Sequence, residues 1–297
     1  MNSKTGQNRR SGAAGYRGRL APSPTGYFHL GHLATFETAR RRAREEEGIL
    51  VFRNDNLDSR RCRPEYVEAM YDDLRWFGFS WVEGPDVGGD CGPYNQDERI
   101  AHYRDAWLTL CRLGYVYACR CSRRDVLNNL SAPHEGEDEP VYPGTCRPET
   151  FGDPGDGDSA PGTVSWRFRV SEGEKVTVED GNLGTRNFVA GVDFGDFVIW
   201  RRDGLPSYHL AAVVDDAAMR ITEVVRGADL LVSTARQILI YRALGLPAPE
   251  YYHCPLVRDE SGRRLAKRNG ALSLRALRGN GYRPSEILQM AGARTRR

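Results

Sequence analysis

No apolar run in this chain is long enough to span a bilayer. Its first residues, Met1 to Gly15, are polar and contain no hydrophobic h-region. These absences argue against a membrane span and a secretory signal, so a cytoplasmic protein is expected, with residues 1–15 a loose tail. An excess of one charge is also missing. The 42 basic and 40 acidic residues leave a net +2, so bulk charge does not mark a nucleic-acid binder. Arginines do cluster locally, at Arg40, Arg41, Arg42 and Arg44 and across Arg275, Arg278, Arg283, Arg294, Arg296 and Arg297. The first cluster fits a solvated helix face as well as a partner surface. The seven cysteines are an odd count with no export signal. That argues against a disulfide framework and for a reducing compartment. Cys62, Cys91, Cys111 and Cys254 stand alone and read as small buried residues. There is no internal repeat.

What is there is a globular chain of 297 residues, 40% hydrophobic and 28% charged, enough for one large or two modest domains. Ile49 to Phe52 is a continuous apolar run, as in a buried parallel strand. Val67, Met70, Leu74 and Phe77 follow Pro64 at helical spacing and stop at Gly78. Ile100, Tyr103, Trp107 and Leu110 predict a second helix ending at Gly114. Strand–helix alternation of this kind predicts an α/β fold with a parallel sheet, whose ligands bind at the carboxyl ends of the strands. Residues from about Asn128 to Gly162 are rich in Pro, Gly, Asp and Glu and predict an exposed insertion. Val164 to Val170 and Phe197 to Trp200 read as strands, the second followed by a hairpin-like turn at Arg201 to Gly204. They suggest a small strand-containing unit inserted in the α/β domain. The alternation then resumes with a strand at Ile221 to Val225. A helix face of Ala235, Ile238, Tyr241 and Leu244 stops at Gly245, and a last strand runs from Tyr251 to Val257.

The most informative run is Gly18-Arg19-Leu20-Ala21-Pro22-Ser23-Pro24-Thr25-Gly26-Tyr27-Phe28-His29-Leu30-Gly31-His32. It predicts a short strand, a proline-rich turn and a helix start. Unpaired N–H groups and partial positive charge at a helix N-terminus suit phosphate. His29 and His32 share one helical face, and Gly31 lets a flat ring approach the backbone. Cys119-Arg120-Cys121, followed by Cys146, fits a metal site in which three thiolates and one further ligand form a tetrahedral zinc shell. Spacing alone leaves His134 and Tyr142 both open as the fourth ligand, and three ordinary buried thiols stay an alternative. Bound zinc would anchor the loop between them.

The run from Gly18 to His32 resembles the HIGH-type signature of class I aminoacyl-tRNA synthetases in its glutamyl form. Other segments match in order. Arg53-Asn54-Asp55-Asn56-Leu57-Asp58-Ser59-Arg60 resembles the stretch whose first acidic residue contacts the amino acid. Asn54 and Asn56 replace the more usual Ile and Asp, which removes one negative charge. Tyr208 to Asp216 and Arg226 to Asp229 resemble the segments lining the amino-acid pocket. Arg263 to Arg268 resembles the KMSKS loop, with Arg264 for the first lysine, Ala266 for serine and Lys267 in place.

The resemblance covers roughly Tyr16 to Arg268. It implies a Rossmann-like catalytic domain at 16–118 and 206–297 with a zinc-containing subdomain inserted at 119–205. Fewer than about thirty residues follow Arg268, less than a domain of usual size. The expectation is therefore the short branch of the group, which lacks an anticodon-binding domain and attaches glutamate to the queuosine base of tRNA(Asp). In that branch a tyrosine is the unusual fourth zinc ligand, which favours the set Cys119, Cys121, Tyr142 and Cys146, with one structural ion. The implied substrates are L-glutamate, ATP with Mg²⁺ and queuosine-bearing tRNA(Asp), handled by a monomer. The implied roles are His29, Gly31, His32 and Lys267 for ATP, with the two histidines and the lysine catalytic. Arg19, Leu20, Ala21, Pro22, Ser23, Asp55, Tyr208 and Arg226 are implied for glutamate. An always-charged arginine fork suits a carboxylate. Three alternatives stand beside this: ordinary 3′-end charging, an adenylating enzyme with a small-molecule acceptor, and an inactive tRNA-binding paralogue.

Overall fold

The computed structural model describes residues 15–122, 125–126, 141–155, 162–257 and 273–294. In chain order its regular elements are β1 (Arg17–Leu20), α1 (Leu30–Glu45), β2 (Ile49–Phe52), α2 (Pro64–Trp76), α3 (Ile100–Arg112), β3 (Val116–Cys119), β4 (Ser165–Phe168), β5 (Lys175–Asp180), β6 (Gly184–Val189), β7 (Phe197–Trp200), α4 (Tyr208–Ala218), β8 (Glu223–Gly227), α5 (Leu231–Leu244), β9 (Glu250–Cys254), α6 (Leu274–Gly279) and α7 (Pro284–Arg294). Local chemistry explains several limits. Pro64 opens α2 at its first turn, where its missing N–H costs nothing. Ser207 caps α4 by accepting from Leu210 N–H at 3.4 Å. Gly245 ends α5 with φ +66°. The last strand stops at Cys254 rather than Val257, because Pro255 brings no N–H to the ladder.

The fold is α/β with parallel pairing at its centre. β1 pairs with β2, and β8 with β9, both parallel. β1 lies beside β8, where Thr222 N–H donates to the Arg17 carbonyl at 2.9 Å. β5 joins the far side of β9 at Asp180–Tyr251, and β6 pairs antiparallel with β5. A second sheet is antiparallel, in the order β3-β4-β7.

The span from 119 to 205 therefore divides between two sheets. The hairpin β5–β6 extends the parallel sheet, while β4 and β7 pack with α3, α4 and α5 in a shared core. Trp107 sets its ring edge-on to Trp166, with centroids 5.1 Å apart, and at 5.9 Å from Trp200. A second core lies under α1, α2 and α7 and is filled by Leu20, Phe52, Leu74 and Ile287. Each such buried side chain contributes about 1.5–3 kcal/mol.

The arginines of α1 are mostly structural. Arg42 grips Glu223, with Nε 2.6 Å from Oε2. Arg40 donates to the Phe77 carbonyl at 3.1 Å and covers the Phe79 ring. Arg41 only meets Glu45 on the surface. Among the described residues no helix is long and apolar enough to cross a membrane.

Candidate active site at the carboxyl ends of the parallel strands

A cleft of about 600 Å³ opens where β1, β8 and β9 end and α1 begins. Of the residues expected there, Arg19, Ala21, Pro22, Ser23, His29, Gly31, His32, Asp55, Tyr208 and Arg226 line it. Leu20 is not among the lining residues, and its side chain is fully buried in the core below. Successive strand side chains point to opposite faces, so Arg19 reaches one face and Leu20 the other. Only its carbonyl is engaged near the site, accepting from Arg53 N–H at 2.9 Å. Lys267, Arg264, Ala266 and His134 lie outside the described residues. Sequence reading passed over Arg53, Thr35, Gly227, Asp229 and Pro255 to Val257 as lining residues. The rule that ligands sit beyond strand carboxyl ends points to Gly227 and Pro255 once β8 and β9 are located.

The helix start is more elaborate than the sequence suggests. His29 is the N-cap of α1, and its Nδ1 accepts from Gly31 N–H at 3.1 Å. His32 reaches back, its Nδ1 accepting from His29 N–H at 3.2 Å. The pair forms a capping box written with imidazoles rather than hydroxyl and carboxylate. Two N–H groups expected to be unpaired are thus already capped, which corrects the picture of bare backbone donors. The arrangement gives something in return. A neutral imidazole whose Nδ1 accepts must carry its proton on Nε2, so each ring presents a donor on its far side. The helix dipole adds partial positive charge at the same place. Gly31 is needed by this cap: a Cβ there would lie 2.9 Å from His29 Cε1.

Beside the histidines lies a buried charge network. Arg53, 1% exposed, holds Asp55 Oδ1 at 2.7 Å and Asp216 Oδ1 at 2.6 Å. Asp215 accepts from Arg99 Nε at 2.6 Å, from Gln96 Nε2 at 2.8 Å and from Tyr103 OH at 2.9 Å. Arg19 approaches Asp216 at 3.6 Å and donates to the Val225 carbonyl at 2.9 Å. Three carboxylates (Asp55, Asp215, Asp216) thus face three guanidiniums (Arg19, Arg53, Arg99). Burial pushes the Asp55 carboxyl up to about 6, against the opposing pull of Arg53.

Arg226 also faces the cleft, held on three sides. Nε donates to His253 Nε2 at 3.3 Å, one terminal nitrogen to Tyr208 OH at 3.1 Å, and the other to Thr234 Oγ1 at 2.6 Å.

Away from the cleft, Cys119, Cys121 and Cys146 bring their sulfurs within 4.8 Å of one another. Tyr142 OH lies 3.4 Å from Cys119 Sγ and 3.5 Å from Cys121 Sγ. A tetrahedral zinc with bonds of about 2.3 Å to sulfur sets sulfurs about 3.8 Å apart, close to the 3.5 Å between Cys121 and Cys146. The donor set fits zinc in number, spacing and softness. Arg167 donates from Nε to Cys119 Sγ at 3.2 Å, with its guanidinium 3.7 Å above the Tyr142 ring centre. Burial holds the Tyr142 phenol far above its ordinary value, and a divalent cation is what would let it ionise there.

The chain matches the family "tRNA synthetases class I (E and Q), catalytic domain" over residues 16–295. It belongs to that family. Within these class I synthetases, it is 44% identical to the glutamyl-Q tRNA(Asp) synthetase of Nitratidesulfovibrio vulgaris over 271 residues, covering 91% of this chain and 83% of that protein. It is also 44% identical to glutamate–tRNA ligase 2 of Acidithiobacillus ferrooxidans, but spans only 55% of that protein's length. Among solved structures, a glutamate tRNA ligase from Elizabethkingia meningosepticum in complex with its amino acid superposes with a TM-score of 0.78 at 26% identity. That alignment covers 94% of this chain and 60% of the other. Membership makes the chain a ligase of the class I type. It also accounts for a cleft at the strand carboxyl ends with a histidine-capped helix beside it.

Proposed function

We propose that this protein activates glutamate with ATP and transfers it to the queuosine base in the anticodon of tRNA(Asp), in the cytoplasm and as a monomer. The observation that carries the first half is the meeting of two charge patterns in one cleft. The His29 and His32 imidazoles and a helix N-terminus stand on one wall, and Arg19, Arg226 and Asp55 on the others. The first set suits polyphosphate and the second an amino acid with two carboxylates and one ammonium. In the first step a glutamate carboxylate oxygen attacks the α-phosphorus of ATP. Glutamyl-adenylate forms and pyrophosphate leaves; Mg²⁺ bound with the ATP would supply charge neutralisation for the phosphates. Positioning and charge stabilisation supply the catalysis, with no covalent protein intermediate. His29, Gly31, His32 and Lys267 take the nucleotide. Arg19, the Leu20 backbone, Ala21, Pro22, Ser23 and Tyr208 shape the glutamate site, with Asp55 on the ammonium and Arg226 on a carboxylate. In the second step a queuosine hydroxyl attacks the activated carbonyl, AMP leaves and the hydroxyl proton is released.

The acceptor half rests on similarity to glutamyl-Q tRNA(Asp) synthetases, which this chain matches over most of their length. Zinc held by Cys119, Cys121, Tyr142 and Cys146 would be structural, since a closed shell leaves no position for substrate. When bound it supplies a cross-link between β3 and the segment at 141–155.

The test is transfer of labelled glutamate, with ATP and Mg²⁺, to tRNA(Asp) with and without queuosine. Label that requires queuosine supports the proposal. Label indifferent to queuosine would indicate 3′-end charging. Glutamate-dependent pyrophosphate exchange without either label would leave activation standing and displace the acceptor. No exchange at all would favour an inactive paralogue.

A further inference from the structure

Behind Arg226 runs a chain of buried polar groups that the reaction itself does not touch. His253, on β9, is fully buried. Its Nδ1 lies 2.6 Å from Asp180 Oδ2, and its Nε2 lies 2.8 Å from Thr234 Oγ1 and 3.3 Å from Arg226 Nε. Asp180 ends β5 and is held as an acceptor from several sides. Its Oδ1 takes N–H groups of Leu183 at 2.7 Å and Asn182 at 3.0 Å, and its Oδ2 takes His253 N–H at 3.0 Å. Burial alone would raise that carboxyl. The His253 and backbone bonds overcome it and hold Asp180 below the ordinary range. Burial, with Arg226 nearby, pushes His253 down to about 4.

These facts fix the imidazole's proton. An ionised Asp180 only accepts, so a neutral His253 carries its hydrogen on Nδ1 and leaves Nε2 as an acceptor. Nε2 then accepts from the Thr234 hydroxyl at 2.8 Å and, at 3.3 Å, from the Nε–H of Arg226, so both groups that fix the guanidinium's side edge are set by this ring. A guanidinium has five N–H groups. His253, Tyr208 and Thr234 take one each. The side edge of the fork is therefore used, and one N–H remains on each terminal nitrogen. The Tyr251 ring, 5.3 Å from the guanidinium carbon, limits its tilt.

We infer that His253, anchored by Asp180, is a positioning residue that turns the Arg226 guanidinium end-on, so that its two terminal N–H groups meet a glutamate carboxylate together. The inference rests on the reading of Arg226 as a glutamate-binding residue. It also gives the hairpin β5–β6 a part in the amino-acid site, because Asp180 comes from that hairpin.

The test is glutamate-dependent ATP–pyrophosphate exchange, with KM for glutamate and for ATP, kcat and Tm measured for each variant. His253→Asn keeps a donor toward Asp180 and removes the acceptor facing Arg226. His253→Gln can place an oxygen where Nε2 was. His253→Asn should raise KM for glutamate about tenfold or more with KM for ATP within about twofold, and His253→Gln should stay within about threefold of the parent. Should His253→Asn fail to fold, Thr234→Val removes a neighbouring anchor and should raise KM for glutamate about threefold or more. Unchanged glutamate KM in both variants, or glutamate and ATP KM rising together, would overturn the inference. Arg226→Lys separates the two levels of the claim: if it leaves glutamate KM unchanged, the assignment of Arg226 itself fails. If it raises that KM while His253→Asn does not, only the positioning role falls.

Discussion

The charge network beneath the cleft and the cysteine cluster differ in how far the chain alone satisfies them. Beneath the cleft, Asp55, Asp215 and Asp216 are matched by Arg19, Arg53 and Arg99, with Gln96 and Tyr103 completing the bonds to Asp215. At the cysteine centre, three sulfurs and a phenol converge, with the Arg167 guanidinium in contact. The first is complete in charge, so it can hold cleft residues in place with no ligand bound. The second gathers three thiols and a phenol, sulfur and oxygen donors that a dication would bind as anions. On the proposed reading, pre-organisation comes from within the chain at the cleft and would come from an added ion at the cysteine centre.

The sharpest way to break this comparison is to remove the cation at the centre of the first network. Arg53→Ala leaves Asp55 and Asp216 buried without their closest partner and should cost about 3–5 kcal/mol in urea unfolding, equally with and without chelator. Cys146→Ser attacks the other centre. Bound zinc, read by elemental analysis, should be lost, and Tm should fall by several degrees. A chelator should bring the parent down to the same Tm and leave the variant unmoved. A variant with full zinc content would remove that ion from the account.

Gly31→Ala tests the imidazole cap between these scales. The added carbon meets His29 at 2.9 Å, which should cost about 1–3 kcal/mol in stability and raise KM for ATP in pyrophosphate exchange.

Asp73 offers a smaller effect of opposite sign. It is buried on α2, with Oδ2 unbonded, and burial lifts it from 3.8 to about 6. Its folded value lies above its unfolded one, so its contribution is intact below pH 3.8 and is lost as pH rises through about 6. Asp73→Asn should therefore stabilise by about 1–3 kcal/mol at pH 7.5, with the gain shrinking toward pH 4. A gain independent of pH would contradict the burial argument. Least of all, Arg41→Ala removes an exposed pair with Glu45 and should shift stability by no more than about 0.5 kcal/mol. A larger loss, or weaker tRNA binding, would show that this arginine does more than cover the helix.

Legibility followed the range of the interactions involved. The helices at 64–76, 100–112 and 231–244 were readable because periodicity, Pro64 and Gly245 are local signals. The limits of β8 and β9 were less so, since pairing partners and Pro255 decide where a ladder stops. The cleft residues were legible largely through resemblance. Residue patterns alone left Asp55, Tyr208 and Arg226 as plausible caps or packing groups. The splitting of 119–205 between two sheets was not legible, because nothing local tells a hairpin which edge it will join. Nor was the fate of the α1 arginines, set by Glu223 and Phe79 far along the chain.

The sequence by itself determined the membership in the class I synthetases, the strand–turn–helix with its two histidines, and the spacing of the cysteines and tyrosine. Each is written in contiguous residues whose chemistry acts over one or two turns. The tertiary structure alone decided that both imidazoles spend Nδ1 on the helix cap. It alone decided that Leu20 turns inward, that three arginines neutralise three aspartates, and that Asp180 reaches Arg226 through His253. Those outcomes depend on side chains brought together from distant segments, where burial makes each polar group find a partner and sequence separation carries no information about which partner it will be.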